Sequence, residues 1–148
     1  LSGLVGSEMC IRDRFYLLPV NDGNSCYMRV FVGGTIQTGS IYAYEAAAPV
    51  GNSVTNAESY MRLNVGTIGN ATGEGITSIL TFQNVNSTSA PFCYTGSSTH
   101  ASTGAAHNSQ TSAGALLVAN ASNVVNGLRI YFNSGNIASG RVKLFGFK

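Results

Sequence analysis

The chain has 148 residues, of which 44% are hydrophobic and only 9% are charged, and its formal net charge is +2. That length fits one domain, and so few basic residues exclude the electrostatic footprint of a nucleic-acid-binding protein. Glycine, serine, threonine and asparagine contribute 18, 17, 12 and 14 residues. Because these residues are indifferent or poor helix formers, the composition predicts strands and turns, and it excludes a coiled coil.

The N-terminal segment differs in charge from the rest of the chain. Four of the 14 charged side chains lie within seven residues, at Glu8, Arg12, Asp13 and Arg14. One interpretation is a solvated N-terminal turn. The run GSEMCIRDR, which ends at Arg14, also resembles a peptide seen when sequencing-adapter DNA is translated at the end of an assembled read. This resemblance implies that residues 1–14 are not native and carry no fold information, and that residues 15–148 form a single domain, the C-terminal part of a longer protein.

Membrane and redox features are weak in this sequence. No apolar run approaches the roughly 20 residues that span a bilayer, and the first six residues lack the pattern of a secretory signal, so we expect a soluble chain without a membrane partner. The three cysteines, Cys10, Cys26 and Cys93, show no metal or redox spacing. Cys26 and Cys93 are expected either to pair or to remain two buried thiols, and the sequence leaves both possibilities open.

From Phe15 onward, short apolar or alternating runs are separated by Gly, Asn and Ser, which is typical of consecutive strands. In the run 26–32, for example, Cys26 and Met28 share one face while Tyr27 and Arg29 share the other. The predicted strands are 15–20, 26–32, 41–44, 60–65, 76–82, 92–95, 116–119, 128–132 and 141–147. Residues 46–56, 66–75 and 96–114 are predicted loops.

Eight or nine short strands without a helical period predict an all-β fold, an antiparallel β-sandwich that is jelly-roll-like and carries long polar loops. The residues predicted to form its core share one face of the three clearest strands. They are Ile76, Leu80, Phe82, Leu128, Ile130, Phe132, Val142 and Leu144.

Candidate catalytic groups are few after residue 14. The carboxylates are Asp22, Glu45, Glu58 and Glu74, and exposed charges at turns and strand ends are the simpler interpretation of all four. Cys93 with His100 or His107 offers a nucleophilic pair or a metal site, but the spacing lacks an orienting or acidic partner. We therefore expect no enzyme activity, no metal and no cofactor.

Tyrosines beside Asn, Ser and Thr suit glycan binding, although tyrosines of a β-sandwich also commonly fill the rim of the core. His100 and His107 lie in the predicted loop 96–114, and Tyr94 lies at its base. We expect any binding to lie in the loops, where β-sandwiches usually carry it. The candidate ligand-binding residues are Tyr94, His100, His107, Tyr42 and Tyr44.

The C-terminal run from Asn126 to Phe147 has a hydrophobic strand, the turn SGNIASG and a strand ending in LFG. It resembles the closing strands of C-terminal domains in tailed-bacteriophage tail-fibre and related virion proteins. The stretch Cys26 to Tyr44 is similar to the paired early strands of the same domains. Together these stretches cover about a third of the chain.

The resemblance implies a structural domain of an extracellular phage particle that contacts other virion proteins and a host-surface glycan or protein receptor, with a homotrimer as the expected assembly. The sparse basic charge leads us to expect no nucleic-acid partner. The alternatives are a secreted bacterial carbohydrate-binding or surface-adhesion β-sandwich, and a tail-associated hydrolase domain.

Overall fold

The computed structural model describes residues 9–49, 51–102, 104 and 106–147, without the side chains of residues 9–11 and 147. These residues form eleven strands and one short 3-10 turn, Val118–Asn120. The strands are β1 (Met9–Pro19), β2 (Cys26–Val32), β3 (Thr35–Ile36), β4 (Tyr42–Ala48), β5 (Gly51–Glu58), β6 (Met61–Arg62), β7 (Gly75–Val85), β8 (Cys93–Ala101), β9 (His107–Leu116), β10 (Val125–Phe132) and β11 (Ile137–Phe147). Among the described residues, no helix is long and apolar enough to cross a bilayer.

The strands form two antiparallel sheets that pack face to face, which confirms the predicted β-sandwich. The larger sheet has seven strands in the order β11-β1-β7-β8-β9-β4-β5. The smaller sheet has four strands, with β2 between β10 and β3 and with β6 also paired to β2. The C-terminal turn between β10 and β11 therefore connects the two sheets.

The core lies between the sheets and follows the alternation of the strands. Cys26, Met28 and Val30 are fully buried on the inner face of β2, as the period of two predicts. Of the predicted core residues, Ile76, Leu80, Phe82 and Phe132 are buried, and Leu128 and Ile130 pack against the core while partly buried.

The prediction that Val142 and Leu144 belong to the core is wrong. They are 53% and 46% exposed. Strand β11 is the edge of the seven-stranded sheet, where β1 is its one neighbour among the described strands.

Two segments predicted as loops are in fact strands. Residues 46–56 contribute to the β4–β5 hairpin, and residues 96–114 contribute most of β8 and β9. Their low hydrophobicity hides the pattern, because the inward side chains of β8 and β9 include polar groups that are hydrogen-bonded. The Gln110 amide donates to the Leu63 carbonyl over 2.6 Å and to the Ser98 hydroxyl over 2.9 Å, which removes the cost of burying them.

Strand β1 gives part of the N-terminal segment a place in the larger sheet. From Arg12 to Leu17 it pairs continuously with β7 on one side and β11 on the other, and Asp13 is only 3% exposed. The expectation that residues 1–14 carry no fold information therefore disagrees with the structure for residues 9–14. Residues 1–8 and the Cys10 side chain lie outside the described residues, and the origin of the segment stays a prediction.

Candidate functional site

Most of the aromatic and histidine side chains that the sequence suggested for ligand binding lie in the core. Tyr42, Tyr44, Tyr94 and His100 are between 0% and 7% exposed. The Tyr42 hydroxyl accepts from the Val30 amide and donates to the Gln37 carbonyl. The Tyr94 hydroxyl donates to the Arg62 carbonyl over 3.3 Å. These side chains fill the interior and present no ring face to a ligand at the surface, which corrects the expectation that they bind there.

The two histidines do not form a joint site. His100 points inward from β8, and neither of its ring nitrogens has a hydrogen-bond partner in the described part of the chain. Burial lowers the pKa of His100, and the charge of Arg62 lowers it further. His107 is exposed at the start of β9 and is the cross-strand partner of Ala101. Ala101 directly follows His100 on β8, so the two side chains face opposite sides of the sheet. His107 faces the same side as its partner Ala101, and the two imidazoles therefore point in opposite directions.

The candidate catalytic groups are also separated. Cys93 begins β8 and His100 lies near its end, so seven residues of strand place them about 23 Å apart. Glu45 faces the outer side of β4, whereas Glu58 is the cross-strand partner of the inward-facing Tyr42. No group of three metal-ligating side chains occurs among the described residues.

Cys26 and Cys93, whose pairing the sequence left open, are not joined in a disulfide. Cys26 is buried in the core, and this burial raises the pKa of its thiol. Cys26 therefore behaves as a small core residue.

The outer face of the smaller sheet carries a different set of aromatic and basic side chains. Strands β2 and β10 pair so that Tyr27 lies opposite Tyr131 and Arg29 lies opposite Arg129. Tyr60, just before β6, covers Tyr27. We call these five residues the tyrosine–arginine face.

The side chains of the tyrosine–arginine face are in direct contact with one another. The rings of Tyr27 and Tyr60 are stacked, with their centroids 4.1 Å apart and an interplanar angle of 10°. Tyr131 meets Tyr27 edge-on, with the centroids 5.8 Å apart. The guanidinium carbons of Arg29 and Arg129 lie 5.3 Å and 5.0 Å from the centroid of Tyr131, within the range of cation–π attraction. These contacts hold the two cations at fixed positions on the surface.

The hydroxyls of Tyr60 and Tyr131 remain protonated at neutral pH, because the pKa of each is raised. Burial raises the pKa of Tyr60 to about 12, and the neighbouring Tyr27 and Tyr44 and the charge of Glu58 act in the same direction. Burial also raises the pKa of Tyr131, although the charges of Arg29 and Arg129 oppose it. The face therefore offers phenol O–H and guanidinium N–H groups, which are hydrogen-bond donors.

A second surface lies on the outer face of the seven-stranded sheet. It is an open groove of about 600 Å³ whose polar lining includes Thr81, Thr95 and Thr111. Arg12 stands at one side of it and Glu45 at the other. Its lining contains small hydroxyl and methyl groups but no aromatic ring, so it supplies less contact area for a ligand than the tyrosine–arginine face.

The sequence placed the residues of this site on outward strand faces but did not show that they are neighbours. The alternation of residues 26–32 places Tyr27 and Arg29 on the outward face of a strand. Their partners Tyr131 and Arg129 lie about a hundred residues further along the chain, and only the register of β2 with β10 brings them together.

The fold and this surface define the chain as an antiparallel β-sandwich with a mostly half-buried aromatic and cationic cluster on the outer face of its smaller sheet. No family model matches the chain, and no match was found among curated proteins or solved structures.

Proposed function

We propose that the chain is a structural domain of a bacteriophage virion appendage, and that it binds a glycan of the host surface through the tyrosine–arginine face. The observation that carries the binding proposal is the contact set of Tyr27, Tyr60 and Tyr131 with Arg29 and Arg129. Tyrosine and arginine side chains are enriched among the residues that contribute most to binding at recognition surfaces. Here most of them are partly buried, and they are held in place by one another.

The remaining surface supports an extracellular role. Charged residues make up only 9% of the chain, and most of the residues that line the groove on the larger sheet are threonine, serine or alanine. The likeness of residues 126–147 to tail-fibre domains supplies the virion part of the proposal. Those residues form most of β10, the turn that follows it and β11.

A single copy is expected to bind weakly, since a neutral hydrogen bond contributes only about 0.5–1.5 kcal/mol net. Several copies on one particle would raise the overall affinity, because one bound copy holds the others close to further glycans on the same cell. The test therefore uses the domain fused to a trimerising segment.

The trimeric protein is measured for binding to a panel of bacterial cells and to a glycan array. Tyr131→Ala removes the ring beneath both arginines, and Thr111→Val removes a hydroxyl from the groove on the other sheet as a matched control. We expect the wild type and Thr111→Val to bind alike and Tyr131→Ala to lose binding, with circular dichroism showing that all three fold.

Two outcomes contradict the proposal. Absence of wild-type binding to every cell and glycan would favour a purely structural role. Loss of binding in Thr111→Val but not in Tyr131→Ala would move the site to the groove. The virion assignment is tested separately, by immunogold labelling of phage particles with an antiserum against the domain; particles without label contradict it.

A further inference from the structure

The two arginines of the tyrosine–arginine face are direct cross-strand neighbours. Arg29 of β2 and Arg129 of β10 are partners in the antiparallel register and point to the same outer side of the sheet. Like charges in directly opposite positions destabilise an antiparallel pair. Both guanidinium groups lie over the single ring of Tyr131, which attracts each of them but leaves their mutual repulsion in place.

This positive charge is not neutralised by the hydrogen bonds around it. Arg29 donates to the backbone carbonyl of Ser59 over 2.8 Å and to its hydroxyl. Arg62, the cross-strand partner of Tyr27, donates to the Ser25 hydroxyl and to the Gly66 carbonyl, each over 2.9 Å.

All of these acceptors are neutral. Over the described ranges of the chain, no hydrogen bond of these arginines reaches a carboxylate. Glu58 is the acidic group whose charge reaches this face, where it acts on Tyr60. Among the described residues, the two arginines of the face and the adjacent Arg62 therefore outnumber Glu58, and the charge at the face is net positive.

The aromatic rings of the face are already engaged by their neighbours. Tyr27 is stacked on Tyr60, Tyr60 is also stacked near Tyr44 with a centroid distance of 6.1 Å, and Tyr131 lies beneath the two arginines. Nucleic-acid-binding surfaces commonly need free ring faces on which bases stack. A surface whose ring faces are occupied but which carries two guanidinium groups is better suited to an oxyanion, because guanidinium groups pair well with carboxylate, sulfate and phosphate.

We propose that the tyrosine–arginine face binds an acidic glycan, with an oxyanion of the sugar placed between Arg29 and Arg129. This inference rests on the proposed function and names the chemical class of its ligand. The bound anion supplies the negative charge that the arginine pair lacks, and the tyrosine hydroxyls donate to sugar oxygens beside it. The unfavourable charge pair thereby becomes favourable in the complex.

The experiment measures binding of the trimeric protein to four immobilised polymers in low and in high salt. Polygalacturonate carries carboxylates, dextran sulfate carries sulfates, dextran is neutral, and poly-dT is a single-stranded nucleic acid. Arg129→Gln removes one charge of the pair. Arg141→Gln is the matched control, since it makes the same change on exposed β11 of the other sheet.

We expect the wild type to bind at least one acidic polysaccharide more tightly than dextran, and high salt to weaken that binding. Arg129→Gln should weaken it by about 10-fold or more, as loss of a charge-assisted contact does, and Arg141→Gln should leave it nearly unchanged. The polymer bound more tightly identifies carboxylate or sulfate as the preferred oxyanion. Without ligand, Arg129→Gln should melt at a temperature equal to or higher than that of the wild type, whereas a purely structural arginine would lower the melting temperature when removed.

Several results would overturn the inference. Equal binding of dextran and of the acidic polymers, unaffected by Arg129→Gln, would reject the acidic class while glycan binding itself survives. Tighter binding of poly-dT than of either acidic polysaccharide would make the face a nucleic-acid surface. Equal losses in Arg129→Gln and Arg141→Gln would reduce the effect to overall charge. Absence of binding to all four polymers, together with host-cell binding that Tyr131→Ala abolishes, would reject the acidic class and leave the proposed function standing.

Discussion

Asp13 gives the sharpest test of whether the N-terminal segment belongs to the fold. Its cross-strand partners are Leu80 of β7 and Leu144 of β11, and its Oδ1 has no hydrogen-bond partner among the described residues. Burial raises the pKa of this carboxyl from 3.8 to about 6, although a hydrogen bond from the Arg14 backbone opposes the change. The folded state therefore prefers the protonated acid more strongly than the unfolded chain does.

The sign of the pH dependence follows directly. Between about pH 4 and pH 6 the unfolded chain has released this proton while the folded protein retains it, so the free energy of unfolding falls as the pH rises. One pKa unit corresponds to about 1.4 kcal/mol, which gives a total loss of up to about 3 kcal/mol at neutral pH. Asp13→Asn cannot ionise and should be more stable than the wild type at pH 7 by up to this amount.

Urea unfolding across this pH range measures the effect, followed by far-ultraviolet circular dichroism or by the fluorescence of the seven tyrosines in this chain without tryptophan. Glu45→Gln, which removes a carboxylate from the exposed outer side of β4, serves as the matched control for the loss of one negative charge. Identical profiles for the wild type and Asp13→Asn would show that Asp13 is solvated, and that β1 does not extend through it.

Three further predictions concern the interior and are checked by unfolding measurements. Phe132→Ala should cost about 3–5 kcal/mol because the ring is 4% exposed, and a cost below about 1 kcal/mol would remove it from the core. Gly114→Ala should destabilise the fold by about 1–3 kcal/mol, since the added Cβ would lie 2.5 Å from the Tyr94 ring. The control Gly39→Ala should be tolerated, because its Cβ would lie 3.7 Å from the nearest atom. Equal effects of the two substitutions would contradict this packing. His100 has a lowered pKa in the fold, so its contribution to stability is present above its unfolded pKa of about 6.5 and is lost as the pH falls. His100→Gln should therefore reduce the loss of unfolding free energy at acid pH. An unchanged loss at acid pH would show that the imidazole is solvated.

The sequence predicted strands well where inward positions are apolar. The alternation of Cys26, Met28 and Val30 appears directly in the burial of β2. The prediction of strands from the sequence failed for β8 and β9. There Ser98, His100 and Gln110 occupy inward positions, and no apolar period is visible. Burial there depends on side-chain hydrogen bonds to the β6–β7 connection, such as that from Gln110 to Leu63, and such long-range pairing cannot be read from local composition.

The candidate site depends on information of the same long-range kind. The tyrosines beside polar residues that drew attention in the sequence, Tyr42, Tyr44 and Tyr94, belong to strands whose alternation turns them inward. Tyr27 was correctly placed on an outward face, but nothing near it in sequence indicates a partner. Register between β2 and β10 decides which outward residues become neighbours, and it is set by core packing on the opposite side of the same strands.

The placement of charge supports the proposal that the arginine pair serves binding rather than solubility. Only six basic residues follow residue 14, and three of them, Arg29, Arg62 and Arg129, lie on or beside the tyrosine–arginine face. Cations that served solubility alone would be dispersed, and a direct cross-strand pair of like charges would be avoided. Departures from such local rules are expected at functional sites, where a ligand offsets their cost. The groove on the opposite sheet shows no comparable departure, since its one arginine belongs to the N-terminal segment and its threonines obey the ordinary pattern of an outward strand face.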